Sequence, residues 1–198
     1  MRVTLASLGG GREETMTAEC AAALRDAGCI LGAKRLLDGL PQGCTENRIA
    51  AVKPQELLEG ILRQNCACVV AYSGDAGFHS GARGLLPLLA ERDIPARVLP
   101  GVSSVQLLSA RLGLPWQDWA LISAHGQDCD PVAAVSTGRP AFSSPGEPWG
   151  RGSCANGSRG LDWAGCPSPW GRIWPDQRNG SPPAGRRSWR GGSSPPCR

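Results

Sequence analysis

The 198 residues contain neither a Cys-x-x-Cys pair nor a histidine cluster, so the nine cysteines carry no zinc spacing and no metal site is expected. Cys20 and Cys29 flank a helical pattern, and Cys66 and Cys68 lead into or lie on a strand pattern. Those are positions for small buried residues in a reducing compartment. No apolar run approaches the roughly 20 residues that cross a membrane. Met1-Arg2-Val3 leads straight into a strand pattern, so no signal peptide is expected. A cytoplasmic protein without membrane contact is expected. The G-x-G-x-x-G spacing is absent from the first glycine run, and Asp26 lies too early, on a helix, to bind a ribose at the end of a second strand. That argues against a dinucleotide-dependent dehydrogenase.

Aliphatic residues are scarce after Phe142, where only Leu161 and Ile173 represent the Leu/Ile/Val class. The same segment holds 8 Arg, no Lys and 3 acids, with 9 of the 17 prolines and 5 of the 7 tryptophans. Such a composition cannot assemble a periodic apolar face, so residues 143–198 are expected to form a disordered tail rich in Gly, Pro, Arg and Trp. The net charge of +4 belongs to that tail, because residues 1–142 balance 13 Lys and Arg against 14 Asp and Glu. A basic tail also raises RNA binding as a different class of function, with 186–192 (Arg-Arg-Ser-Trp-Arg-Gly-Gly) as its best stretch. No regular Arg-Gly-Gly repeat supports that reading, and no nucleic-acid partner is expected.

What is present before Phe142 alternates strand and helix. Residues 2–8 form a β-rich run ending in Gly9-Gly10-Gly11, and a helical pattern begins at Thr17, with Thr15 or Thr17 as N-cap. Residues 29–32 read as a short buried strand, 33–40 as a helix, and the following stretch as a polar loop up to Pro54. Leu57, Leu58, Ile61 and Leu62 give a helix over 55–64, and 67–72 a strand. A helix through Leu85 and Leu89, a strand at 97–99 and a helix from about Val105 to Leu112 follow, the last stopped by Gly113 and Pro115. This order implies an α/β domain on a mostly parallel sheet.

The pivotal stretch is Tyr72-Ser73-Gly74-Asp75-Ala76-Gly77-Phe78-His79-Ser80-Gly81, a glycine-rich loop between strand and helix. It reads either as a tight turn with a capping role or as a ligand loop in which bare backbone approaches its target. Gly9–Gly11 and Pro100-Gly101-Val102-Ser103-Ser104 end two other strands, and in open α/β sheets that edge holds ligands.

At Ser73-Gly74-Asp75-Ala76-Gly77-Phe78 and Pro100-Gly101-Val102-Ser103-Ser104 the chain resembles the tetrapyrrole (corrin/porphyrin) methylases. Ala76 stands where the family's second loop usually has proline. Leu31-Gly32-Ala33-Lys34-Arg35-Leu36-Leu37, Ala110-Arg111-Leu112-Gly113-Leu114-Pro115-Trp116 and Ser123-Ala124-His125-Gly126 resemble its cobalamin-pathway branch. That branch comprises the precorrin-6Y C5,15-methyltransferases and the separate C5-methylating subunit that acts on cobalt-precorrin-7. The resemblance covers residues 2–142. It implies S-adenosylmethionine as cofactor, a corrin-type substrate, a homodimer in intact members and a separate C15-methylating, decarboxylating subunit. It also implies that Leu8, Gly9, Gly74, Asp75, Phe78, Ser103 and Ser104 line the cofactor pocket. His125 would touch the acidic tetrapyrrole or assist proton loss, or else be a hydrogen-bonded structural histidine. Lys34 and Arg35 would meet substrate carboxylates or remain solvated.

Members of the family continue past the position of Phe142 with Leu-Thr-Gly-Gly and a full second α/β domain. Here the chain reads Ser143-Ser144-Pro145-Gly146-Glu147-Pro148-Trp149-Gly150. Combining the third base of each codon with the first two of the next permits Leu-Thr-Gly-Gly-Thr-Leu-Gly across this stretch. The same shift permits Gly-Glu-Asn-Leu across Gly171 to Trp174. The expectation is a frameshift after about Phe142. Residues 1–114 would then be the first domain, 115–142 the start of a truncated second α/β domain, and 143–198 a tail without an evolved fold.

Overall fold

The computed structural model describes residues 2–123, 141–144 and 172–174. Along the chain run β1 (Val3–Ser7), α1 (Ala18–Arg25), β2 (Cys29–Gly32), α2 (Lys34–Leu37), β3 (Arg48–Ala50) and α3 (Pro54–Leu62). Then come β4 (Cys68–Tyr72), α4 (Ala82–Ala90), β5 (Ala96–Leu99), α5 (Ser104–Leu112), β6 (Ala120–Ser123), β7 (Ala141–Ser144) and β8 (Arg172–Trp174).

The first five strands form one parallel sheet in the order β3-β2-β4-β1-β5. Helices cover both of its faces, and the strand sequences show why. Val3, Leu5, Cys29, Leu31, Cys68 and Val70 point to one face, packed with Leu57, Leu58 and Ile61 of α3 and Leu85 and Leu89 of α4. The alternate residues Ala6, Leu8, Ile30, Val69 and Ala71 meet Cys20 and Leu24 of α1 and Leu36 and Leu37 of α2 on the other. A strand buried on both sides reads as a continuous apolar run because period-2 alternation sends every residue into a core. Leu5, Leu24, Ile61 and Leu85 are fully buried. Burying each such side chain contributes about 1.5–3 kcal/mol.

Two local expectations are corrected. The stretch read as a polar loop contains β3, an edge strand of three residues with no fully buried side chain, which pairs with β2. Its register gives Ile49 alone to the apolar side, too little pattern to register as a strand. The helix expected over 33–40 is only the four-residue α2, because Gly39 and Pro41 follow its C-cap at Asp38.

A second sheet holds β6, β7 and β8, with β6 and β7 parallel and β7 and β8 antiparallel. Gly113, in left-handed backbone at φ 64°, ends α5 ahead of it. Phe142 of β7 is fully buried with Val105 and Leu108 of α5 and Trp119, and Phe78 packs on the same cluster. Within the segment expected to lack regular structure, Arg172–Trp174 thus form a strand. Ser143 and Ser144 of that segment belong to β7 as well; the rest of it, 186–192 included, lies outside the described residues. No helix among the described residues is long and apolar enough to cross a membrane.

Candidate functional site

Because β1 lies between β4 and β5, the loops after these three strands leave the sheet side by side. Backbone groups tie them together. The Gly9 N–H donates to the Gly74 carbonyl at 3.1 Å, and the Gly74 N–H donates to the Gly9 carbonyl at 2.7 Å. Leu8 N–H donates to the Tyr72 carbonyl at 2.8 Å. Beneath them the fully buried Ser7 hydroxyl accepts from Ala76 N–H at 2.8 Å. Both glycines of the bridge have positive φ, 57° and 71°, which disfavours a side chain there. A Cβ at Gly9 would also lie 2.3 Å from the Thr15 carbonyl oxygen.

Asp75 joins the third loop. One carboxylate oxygen accepts from Gly101 N–H and the other from Gly77 N–H, each at 3.1 Å. Gly101 approaches so closely that a Cβ there would sit 2.5 Å from the Gly74 carbonyl oxygen and 2.6 Å from Ser7 Cβ. Both oxygens of Asp75 therefore have backbone partners, and each retains lone-pair capacity.

Ser103 is buried and spends its side chain on α5. Its hydroxyl accepts from Gln106 N–H, while Gln106 Oε1 accepts from Ser103 N–H at 2.8 Å, a reciprocal capping box. Ser104, half-buried at the first position of α5, makes no side-chain hydrogen bond among the described residues. Leu8 is buried in the core and forms the floor under the first loop. Phe78 lies 6.1 Å from Phe142, ring centroid to centroid, and so joins the loop to the second sheet. His125 lies outside the described residues.

The structure thus brings Gly9, Gly74 and Asp75 into one clasp with Ser103 beside it, where a Cβ on Gly74 would be 3.9 Å from Ser103 Cα. Three residues that the sequence reading did not place in the pocket complete it: Ser7, Thr15 and Gly101. Thr15 is not a helix cap. Its hydroxyl accepts from Gly10 N–H at 2.9 Å, while Thr17 caps α1 by accepting from Cys20 N–H at 3.2 Å. A serine ending an otherwise apolar strand was the one available signal for Ser7.

A cavity of about 280 Å³ opens next to the clasp, between α2 and the loop that follows β4. Arg35, Ser73, His79 and Ser80 are its polar lining residues, over an apolar floor that includes Leu57 and Val70. Arg35 Nη2 donates to Ser73 Oγ at 3.1 Å. The Tyr72 hydroxyl is buried without a hydrogen-bond partner among the described residues, and burial pushes its pKa up to about 12. No group of three or more His, Cys, Asp or Glu among the described residues is placed to hold a metal ion.

Residues 2–142 match the family described as Tetrapyrrole (Corrin/Porphyrin) Methylases. The chain belongs to this family. Tetrapyrrole methylases use S-adenosylmethionine. Among relatives, the probable cobalt-precorrin-7 C(5)-methyltransferase of Methanocaldococcus jannaschii is 27% identical over 133 residues, covering 64% of this chain and 61% of that protein. The cobalt-precorrin-7 C(5)-methyltransferase of Salmonella typhimurium is 29% identical over 126 residues, covering 63% and 62% respectively. The chain therefore spans about three fifths of the length of these relatives.

Solved structures of tetrapyrrole methylases share the fold. The precorrin-6Y methylase of Archaeoglobus fulgidus superposes with a TM-score of 0.57 at 20% identity, over 72% of each chain. The uroporphyrin-III C-methyl transferase of Thermus thermophilus, solved with S-adenosyl homocysteine, gives 0.56 at 22% identity, over 72% of this chain and 65% of that one. The methylase clasp fits a bound cofactor on its own geometry. Gly74 presents bare backbone where a Cβ would meet nothing closer than Ser103 Cα at 3.9 Å, and the Ser104 hydroxyl has no hydrogen bond among the described residues.

Proposed function

We propose that this fold serves S-adenosylmethionine-dependent C-methylation of a corrin precursor at C5, on cobalt-precorrin-7 or precorrin-6Y, in cobalamin biosynthesis. The observation that carries the reading is the Gly9–Gly74 bridge locked to Gly101 through Asp75, at the sheet edge where α/β folds hold ligands. When bound, the cofactor supplies an electrophilic methyl group. Gly74 offers its unobstructed backbone face, and Asp75 and Ser104 offer acceptor and hydroxyl capacity to the amino-acid and ribose ends. Ser7 and Thr15 keep the loops in register. Phe78, packed with Phe142, helps keep water from the methyl group. Leu8 and Ser103 act from beneath, as floor and cap. Attack by a nucleophilic ring carbon needs no covalent enzyme intermediate, so the chain's contribution is position and dryness. His125 is assigned to the substrate side, as a contact to the acidic macrocycle or an aid to proton loss.

The composition after Phe142 supports a shifted reading frame, with residues 1–114 as first domain and 115–142 as the start of a second. In that account the chain as written binds the cofactor through its first domain but does not complete methyl transfer. An intact product would be a cytoplasmic homodimer, with C15 methylation and decarboxylation left to a separate subunit. The test is transfer of label from methyl-tritiated S-adenosylmethionine to cobalt-precorrin-7. Transfer is expected from a frame-corrected product and not from the chain as written. Absence of transfer by a folded, frame-corrected product would overturn the activity.

A further inference from the structure

The cavity beside the clasp is too small for the body of either reactant. Pockets that enclose drug-sized ligands run from about 300 to 1,000 Å³, and this one measures about 280 Å³ and is open to one side. It fits one arm of a larger molecule. Its chemistry selects the arm. No Asp or Glu lines the cavity, while Arg35, Tyr72, Ser73, His79 and Ser80 do. The two neighbouring cations of α2 differ in a way their sequence could not show. Lys34 is engaged by Asp38, with Nζ 2.9 Å from Oδ1 and 3.0 Å from Oδ2. Arg35 has no carboxylate partner among the described residues and is held toward the cavity by the neutral Ser73 hydroxyl. Tyr72 also lines the cavity, but its hydroxyl is closed to solvent and so out of reach of a ligand there.

We propose that this cavity is a subsite for one carboxylate arm of the macrocycle, with Arg35 as its cationic anchor. The inference rests on the reading of the substrate as an acidic tetrapyrrole. Ser73 adjoins Gly74 and Asp75, so an arm seated here would hold the ring against the loop that carries the cofactor clasp. Arg35 would then be a specificity-determining residue that sets which edge of the ring faces the methyl group. A guanidinium suits this task because its planar fork matches a carboxylate with two parallel hydrogen bonds.

The test titrates the full chain with cobyrinic acid, a corrin with free carboxylates, and with its heptamethyl ester, and measures S-adenosylhomocysteine binding separately. Saturable, salt-sensitive binding of the acid is expected. Arg35→Gln should weaken it by about tenfold, the loss typical of a charge-assisted hydrogen bond, and Lys34→Gln should change it less than about twofold. The ester should not distinguish Arg35→Gln from the parent chain. Failure of the parent chain to bind the acid, or equal affinity of parent and Arg35→Gln, would overturn the subsite. Arg35-dependent binding of the acid without binding of S-adenosylhomocysteine would leave the subsite standing and remove the methyl-donor reading instead.

Discussion

Asp75 holds the amide of Gly101 at 3.1 Å across a gap of 26 positions, tying the loop after β4 to the loop after β5. Its second oxygen holds Gly77 N–H at the same distance. Asp75→Ala removes both charge-assisted acceptors. It is expected to lower stability by about 1–3 kcal/mol, read as a shift in the urea unfolding midpoint. Asp75→Asn keeps one acceptor and should fall between the two. Equal midpoints for all three proteins would show that the contact does not order the loops.

Gly101 tests the same junction by steric means. A Cβ there meets the Gly74 carbonyl oxygen at 2.5 Å and Ser7 Cβ at 2.6 Å, atoms that cannot move without parting β1 from β4. Gly101→Ala should cost about 1–3 kcal/mol, measurable by thermal unfolding. Gly11→Ala should cost less, since a Cβ at Gly11 meets nothing within 4 Å and only its φ of 79° resists.

Alkaline pH should destabilise the fold. Burial raises the Cys68 thiol from its ordinary 9.0, and the Tyr72 phenol from 10.0, to about 12 in each case. Both groups prefer to stay neutral when folded. Their contribution is complete below the unfolded values and is lost as pH rises through the folded ones. The urea midpoint should be level near pH 8, fall from about pH 9 upward, and fall less steeply in Tyr72→Phe. A midpoint unchanged up to pH 11 would contradict the burial of these groups.

The reading frame is checked by sequencing the coding DNA across Ala141 to Trp149. One inserted or deleted base is expected there, and its correction should restore Leu-Thr-Gly-Gly. An intact frame would make the composition after Phe142 a property of the protein itself.

Much of the five-stranded sheet and its helices could be read from the chain. Strands buried on both faces announce themselves as apolar runs, so β1, β2 and β4 were visible to within a residue or two, as were α3 and α5 from their leucine spacing. β3 was not visible, because an edge strand with one apolar side chain carries its information in the backbone pairing of its neighbour. The clasp was half legible. Glycines and Asp75 stood out by type, but the reciprocal Gly9–Gly74 bridge and the partner of Asp75 depend on β1 lying between β4 and β5, a long-range fact. The contrast between Lys34 and Arg35 was equally hidden, since adjacent cations on a helix look alike until their partners are placed.

The central claim is that the three clasped loops bind the methyl donor. Titration calorimetry of the full chain with S-adenosylhomocysteine tests it most directly, alongside Gly9→Ala and Asp75→Ala under conditions where each remains folded. Saturable binding at one site, weakened by about tenfold or more in either variant, is the expected result. A folded chain that shows no saturable binding, or binding untouched by both substitutions, would contradict the account.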